Sequence, residues 1–214
     1  MIRIDIDHLR KEYSSDSLDE RFIDPDPFRQ FSLWFNQVLK SEIEEPNAMF
    51  LATVSKEGIP SGRVVLLKGF DEKGFLFYTN YESKKGRDIG ENPWVCITFH
   101  WKELERQVRI TGKAEKIPDK ESDAYFLSRP FDSQVSASVS PQSTVIKNRA
   151  SLELLREEFI EHNKGVELKR PGSWGGYLMI PYVFEFWQGR EYRLHDRIQY
   201  RKGDDTWLIE RLAP

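Results

Sequence analysis

The hydrophobic period changes once, near residue 48, and that change constrains the fold more than any other feature. Upstream of it, Phe28, Phe31, Trp34, Phe35, Val38 and Leu39 recur at helical spacing. Asp26-Pro27 opens this segment with a capping carboxylate followed by proline at the first helical position. From Ala48 the period is two, in short runs ended by turn residues. Strands are expected over 49–55, 61–70, 75–80, 94–101, 106–117, 174–180, 183–188, 192–201 and 207–212. Helices are expected near 7–13, over 84–89 capped by Ser83, over 119–126 after Pro118, and over 148–162. Strands in succession with short turns and helices between them argue for a closed antiparallel barrel with helical decoration. Helices and strands do not alternate regularly, which argues against a doubly wound parallel sheet. The expected fold class is mainly β with peripheral helices. Residues 1–20 are polar and expected to be loosely held, and 21–214 are expected to form one domain.

Composition narrows the class. The chain has 214 residues, 39% hydrophobic and 31% charged, which suits a globular protein. No apolar run approaches the roughly 20 residues that span a bilayer. Met1-Ile2-Arg3-Ile4-Asp5 carries charge where a signal peptide needs an apolar stretch, so a cytoplasmic protein without a membrane partner is expected. Cys96 is the single cysteine. It sits in an apolar run and reads as a small hydrophobe rather than a nucleophile. A net charge of −3 argues against general nucleic-acid binding. Residues 47–113 nevertheless carry 11 basic and 8 acidic side chains. That segment looks prepared for a small anion, although charges facing water from antiparallel strands would give the same count.

Several chemistries lack their residues. There is no glycine-rich dinucleotide fingerprint, no triphosphate loop and no G-x-S-x-G elbow. His8, His100, His162 and His195 have no metal-ligand spacing, so no metal is expected. What remains is a set of cations. Arg63 and Lys68 flank Val64-Val65-Leu66-Leu67, and five residues apart they face opposite sides of a regular strand. A bend or bulge would be needed to bring both to one pocket. Tyr78-Thr79-Asn80 ends a strand, and Ser83-Lys84-Lys85 opens a helix, where free N–H groups and lysines suit a phosphate; a solvated first turn is the alternative. Tyr125, Arg129 and Ser133, four apart at a helix end, suit a second phosphate. Gln142-Ser143 lies in a serine-rich loop with hydrogen-bonding capacity. Arg193, His195 and Arg197 alternate along an expected strand and so share a face, which suits an anionic or planar ligand unless the ladder is simply exposed and screened by salt. Trp187 is placed to stack on such a ring.

Together these motifs resemble the pyridoxamine 5′-phosphate oxidase family. The matching segments are Arg63-Val-Val-Leu-Leu-Lys68, Phe77-Tyr-Thr-Asn80, Leu104-Glu-Arg-Gln107, Tyr125-Phe-Leu-Ser-Arg-Pro130, Asp132-Ser133-Gln134, Ser140-Pro-Gln-Ser143, Phe186-Trp-Gln-Gly189, Arg193-Leu-His-Asp-Arg197 and Arg211-Leu-Ala-Pro214. They run in order from about Leu9 to the last residue. Each motif is weak alone, and the ordered set is specific. The resemblance implies an FMN-binding split β-barrel, a homodimer holding FMN between subunits, and oxidation of pyridoxamine and pyridoxine 5′-phosphates to pyridoxal 5′-phosphate by dioxygen. It implies FMN contacts from Arg63, Val64, Val65, Leu66, Leu67, Lys68, Tyr78, Thr79, Lys84, Lys85, Gln107, Gln142, Ser143, Trp187 and Arg197. It implies that Lys68, Tyr125, Arg129 and Ser133 hold the substrate phosphate, and that Arg193 and His195 lie against the substrate ring as the catalytic pair. Arg10, Lys11, Glu12 and Tyr13 resemble a segment that folds over the substrate. Lys84 stands where relatives commonly have arginine, so the bidentate fork is lost there.

Two other readings follow from the same residues. A split-barrel protein binding flavin or haem without oxidising B6 vitamers would leave Arg129, Ser133, Arg193 and His195 unexplained. A binding module, carrying pyridoxal phosphate or a single-stranded oligonucleotide, belongs to a different class. The acidic net charge weighs against its oligonucleotide form.

Overall fold

The computed structural model of the chain describes residues 12–14, 16–204 and 206–214. The helix expected near 7–13 and the candidates Arg10 and Lys11 lie at or beyond the edge of that range, with residues 7–11 outside the described residues. In chain order the elements are α1 (Pro27–Leu39), β1 (Ala48–Val54), β2 (Pro60–Leu66), β3 (Gly69–Asp71), β4 (Gly74–Asn80), α2 (Lys84–Glu91), β5 (Trp94–Trp101), β6 (Arg106–Lys116), α3 (Asp119–Ser128), α4 (Phe131–Val139), α5 (Arg149–His162), β7 (Trp174–Gln188), β8 (Asp196–Lys202) and β9 (Trp207–Arg211). The hydrogen-bonded order is β2-β1-β5-β6-β7-β4-β3, with β8 on β7 and β9 on β8. The path ends at β2 and β3 instead of closing on itself, so the split form of the barrel is adopted rather than the closed ring. No helix among the described residues is long and apolar enough to cross a membrane.

The chain divides into two compact units. The first holds residues up to Pro46, Thr98–Ile110 and Tyr182–Pro214. Its core is the apolar stripe of α1: Phe31, Trp34 and Val38 are buried. Phe31 packs on Phe99 with ring centroids 5.2 Å apart, and Trp34 meets Phe186 edge-on at 5.3 Å. Asp26 caps the helix as expected, its carboxylate accepting from the Phe28 amide at 2.8 Å.

The second unit holds Asn47–Ile97 and Thr111–Pro181. Here β1 pairs with β2, β3 with β4, and β4 with the first half of β7, all antiparallel. The strand expected over 61–70 is broken. Leu67 donates its amide to the Asn47 carbonyl at 2.9 Å, while Lys68 donates to Leu76 at 2.8 Å. The backbone changes hydrogen-bonding partner within two residues, and that change is the bend the sequence needed at this point. The two strands expected over 174–188 are one. Pro181 interrupts the apolar pattern but not the strand. Gly112 of β6 passes so close that a Cβ there would lie 2.1 Å from the Ile180 carbonyl oxygen, so only glycine admits the approach. Helix α4 was not expected, because Phe131–Val139 is serine-rich and buries only Val135.

Truncating the centre of the α1 stripe tests this packing. Phe31→Ala is expected to cost about 3–5 kcal/mol in urea-induced unfolding. A loss below about 1 kcal/mol would show that the stripe is not the core of its unit.

Candidate active site

A cavity of about 540 Å³ opens in the second unit. That size is usual for a small-molecule site, typically about 300–1,000 Å³. Arg63, Val64, Val65 and Leu66 line it from β2, Lys68 from the break after β2, Tyr78, Thr79 and Asn80 from β4, and Lys85 from α2. Tyr125 on α3, Arg129 and Pro130 at the α3–α4 junction, Ser133 on α4, Gln142 beyond α4 and Trp174 at the start of β7 complete it. Among the described residues of this lining, four side chains are cationic and none is acidic.

Each local geometry has a cause. The β1–β2 register places Arg63 opposite Leu51, and its guanidinium donates to the Leu51 carbonyl at 3.3 Å, Thr53 Oγ1 at 2.8 Å and Ser61 Oγ at 2.7 Å. The Thr53 hydroxyl in turn donates to Asp88 Oδ2 at 2.8 Å. Asp88 also takes the Lys84 ammonium, at 2.9 Å. Burial works against the Asp88 carboxylate, but the hydrogen bonds from Lys84 and Thr53 outweigh it and hold its pKa below the usual range. Ser83 caps α2, accepting from the Gly86 amide at 3.3 Å and donating to the Asn80 carbonyl at 2.6 Å. A Cβ at Gly86 would sit 2.1 Å from the Tyr81 carbonyl oxygen, so this tight start to the helix requires glycine.

Lys85 follows on the cavity side. Its ammonium donates to Gln142 Oε1 at 2.7 Å and to Ser83 Oγ at 3.2 Å. Burial first, and the charge of Arg63 second, pull its pKa down to about 8. At the α3–α4 junction the Arg129 guanidinium lies 4.6 Å from the centre of the Trp174 ring. Its Nη1 is buried with no hydrogen-bond partner among the described residues, and burial depresses its pKa against the opposing effect of Tyr125. Tyr78 stacks on Tyr125 at 3.9 Å and on Trp174 at 5.4 Å, forming a flat aromatic wall.

The expected residues thus fall into distinct groups. Arg63, Val64, Val65, Leu66, Lys68, Tyr78, Thr79, Lys85, Tyr125, Arg129, Ser133 and Gln142 share the one cavity. Leu67 is buried, Lys84 is paired with Asp88, and Ser143 has a left-handed backbone with φ 69°; none of the three is in the lining. Gln107, Trp187, Arg193, His195 and Arg197 belong to the other unit. There Trp187 meets His195 at 4.7 Å and Tyr13 edge-on at 5.8 Å. Glu12 is exposed beside Tyr13.

The alternation expected of Arg193, His195 and Arg197 is corrected by the backbone. Strand β8 begins only at Asp196, and Glu191–Arg193 forms a 3-10 turn with Tyr192 and Arg193 at φ 57° and 61°. The turn that follows Gly189 consumes the residues that a longer strand would have used. Arg193 is exposed, His195 is half-buried, and Arg197 is paired with Glu185 at 2.9 Å. The Arg190 amide donates to His195 Nδ1 at 3.1 Å, which leaves the proton of a neutral ring on Nε2. Burial, then the charge of Arg193, lowers the His195 pKa and favours that neutral form.

A family model described as "Pyridoxamine 5′-phosphate oxidase" matches residues 35–163. The chain belongs to the pyridoxamine 5′-phosphate oxidase family. A second model, described as "Pyridoxine 5′-phosphate oxidase C-terminal dimerisation region", matches residues 174–214. A protein of Trichormus variabilis named Pyridoxine/pyridoxamine 5′-phosphate oxidase is 51% identical over 207 residues, 96% of this chain and 97% of its own length. A Burkholderia multivorans protein of the same name is 52% identical over 209 residues, with the same coverage. Among solved structures, PhzG from Burkholderia lata 383, in complex with tetrahydrophenazine-1-carboxylic acid, superposes with a TM-score of 0.87 at 30% identity, over 94% of this chain and all of that one. A pyridoxamine 5′-phosphate oxidase-related, FMN binding protein from Nostoc punctiforme shares the fold with a TM-score of 0.70 at 19% identity, over 90% of this chain and all of that one.

For this member of the oxidase family, three structural residues escaped the sequence reading. Trp174 was read only as the start of a strand, although Gly175 and Gly176 after it mark a close approach. Thr53 and Asp88 carry no sequence signal, because their role depends on Arg63 lying next to them in space. The cavity makes a pH prediction. Below about pH 8 Lys85 is charged; above it the ammonium loses its proton, while a phosphomonoester is already a dianion, its second pKa being about 6. Affinity for methyl phosphate, measured by calorimetry, is therefore expected to fall as pH rises through 8. In Lys85→Arg that fall should disappear. An unchanged affinity from pH 7 to 10 in the unaltered protein would contradict the assignment.

Proposed function

We propose that this chain is an FMN-dependent oxidase that converts pyridoxamine 5′-phosphate and pyridoxine 5′-phosphate to pyridoxal 5′-phosphate, with dioxygen reduced to hydrogen peroxide. It would serve vitamin B6 biosynthesis or salvage as a cytoplasmic homodimer, with FMN held between subunits. One observation carries the reading: among the described residues, the lining of one cavity holds no carboxylate and presents two groups suited to anions beside an aromatic wall. Arg63 and Lys85 form one group, and Arg129 with Ser133 forms the other. Two phosphates, one on the cofactor and one on the substrate, are the ligands that use both.

The residues fit FMN on their own chemistry. Among the described residues, the buried Nη1 of Arg129 has no partner and the lining has no carboxylate, and both call for an anionic ligand. Arg63, Lys85, Thr79 and Gln142 are assigned to the cofactor phosphate and ribityl chain, with Val64–Lys68, Tyr78, Lys84, Ser143, Gln107, Trp187 and Arg197 as further contacts. Bound FMN would supply the two-electron acceptor for the substrate carbon beside the pyridine ring. The protein's own part is to hold the substrate there. Lys68, Tyr125, Arg129 and Ser133 anchor its phosphate. Arg193 and His195 press against its ring, and Glu12 and Tyr13, with Arg10 and Lys11, cover it. The neutral His195 ring offers an Nε2 proton to a polar substituent of the substrate.

The direct test is oxygen consumption by the FMN-loaded protein on pyridoxamine 5′-phosphate, with the hydrogen peroxide produced quantified. Arg129→Ala is expected to raise KM by about 10- to 100-fold, the scale of one lost charge-assisted phosphate contact. Arg193→Ala and His195→Ala are expected to lower kcat/KM by at least about tenfold each. If both retained the turnover and substrate affinity of the unaltered enzyme, their assignment would fail. Absence of oxygen uptake on either B6 phosphate would sink the substrate assignment.

A further inference from the structure

Between α5 and β7 stands a residue that lines no part of the cavity yet ties two of its walls together. Arg170 donates from Nε to Asp123 Oδ1 at 2.5 Å, from Nη2 to Asp119 Oδ1 at 2.6 Å, and from Nη1 to the Trp174 carbonyl at 2.6 Å. Its side chain is only 8% exposed. Asp119 and Asp123 stand on the first turns of α3. The same helix presents Tyr125 to the cavity, and Arg129 follows directly after its last residue. Trp174 opens β7 and lies under the Arg129 guanidinium.

A guanidinium holds its donors in one rigid plane. Here it spends them on two carboxylates of a helix and one carbonyl of a strand, so it sets the spacing between those elements. Lysine, a single flexible ammonium, could not reach all three at once. Two carboxylates already satisfy Arg170, so it is not itself an anion ligand.

We infer that Arg170 is a positioning residue for the substrate phosphate: by clamping α3 to the start of β7, it sets where Arg129 and Tyr125 face the cavity. The inference rests on the assignment of Arg129 to that phosphate. A misplacement of about 1 Å in such a group is enough to weaken its action by up to about a hundredfold. A merely structural ion pair would lower stability without selecting among ligands.

The test compares Arg170→Gln, Arg170→Lys and Asp123→Asn with the unaltered enzyme, all full-length and loaded with FMN. For Arg170→Gln, KM for pyridoxamine 5′-phosphate should rise about tenfold or more, and the half-inhibiting concentration of inorganic phosphate should rise with it. The kcat and the FMN dissociation constant should stay within about twofold, as should KM for unphosphorylated pyridoxamine. Arg170→Lys should fall between the two. An unchanged KM for the phosphorylated substrate would overturn the inference, as would an equal rise for both amines. If Arg170→Gln does not fold, Asp123→Asn, which removes one charge of the clamp and weakens that contact, carries the same expectations. Calorimetric titration with methyl phosphate separates this inference from the functional reading. If the unaltered protein oxidises neither B6 phosphate but Arg170→Gln still binds methyl phosphate more weakly, the reading fails and the clamp stands; equal binding overturns the clamp.

Discussion

Cations held together with no carboxylate between them, among the described residues, are the constraint around which the site is built. Arg63 and Lys85 repel each other, and the low pKa of Lys85, set first by burial, registers part of that repulsion. What keeps them in place is a set of neutral acceptors: the Leu51 carbonyl, Thr53 and Ser61 for Arg63, and Ser83 and Gln142 for Lys85. The countercharge sits one step back, on buried Asp88, which reaches Arg63 only through the Thr53 hydroxyl. A carboxylate placed directly among the cations would neutralise them and compete with a ligand. Held behind Thr53, it orients the guanidinium and leaves the outward donors free. Such a site is organised before the ligand arrives, which reduces the ordering cost of binding.

The second cation group is organised differently. Among the described residues, Arg129 is held by a ring rather than by hydrogen bonds, lying against Trp174 with one nitrogen unsatisfied. The Tyr78–Tyr125–Trp174 stack makes that wall rigid, and the β4–β7 register, which sets Tyr78 opposite Gly176, makes room for it. Glycine at 176 is favoured because a Cβ there would stand 2.5 Å from the Ile117 side chain and 2.9 Å from the Tyr78 ring. Backbone pairing, small residues and aromatic stacking thus fix a charged side chain from three sides.

Much of this was legible in the sequence, for identifiable reasons. The α1 stripe and its Asp26 cap, the Ser83 cap of α2 and most strands follow from local periodicity and local hydrogen bonding. The cations of the cavity were legible as residue types in strand and turn contexts. What escaped depends on partners distant in sequence. The alternation over 61–70 continues through the point where Leu67 and Lys68 take different partners, so only the pairing reveals the break that lets Arg63 and Lys68 share a cavity. Pro181 looks like a strand end until Gly112 is seen beneath it. The 193–197 alternation failed because two left-handed residues shorten the strand, and nothing about Tyr192 or Arg193 as residue types announces that conformation. Asp88, Thr53 and Arg170 act through spatial neighbours and leave no local pattern.

The proposed function requires that this cavity hold a flavin and offer it a B6 phosphate. The most direct measurement is the visible absorbance of the purified, FMN-reconstituted protein during anaerobic addition of pyridoxamine 5′-phosphate. The flavin bands are expected to bleach on addition and to return when air is admitted. Flavin bands that persist unbleached would keep the cofactor and contradict the substrate. Failure to retain FMN at all would contradict the account at its root.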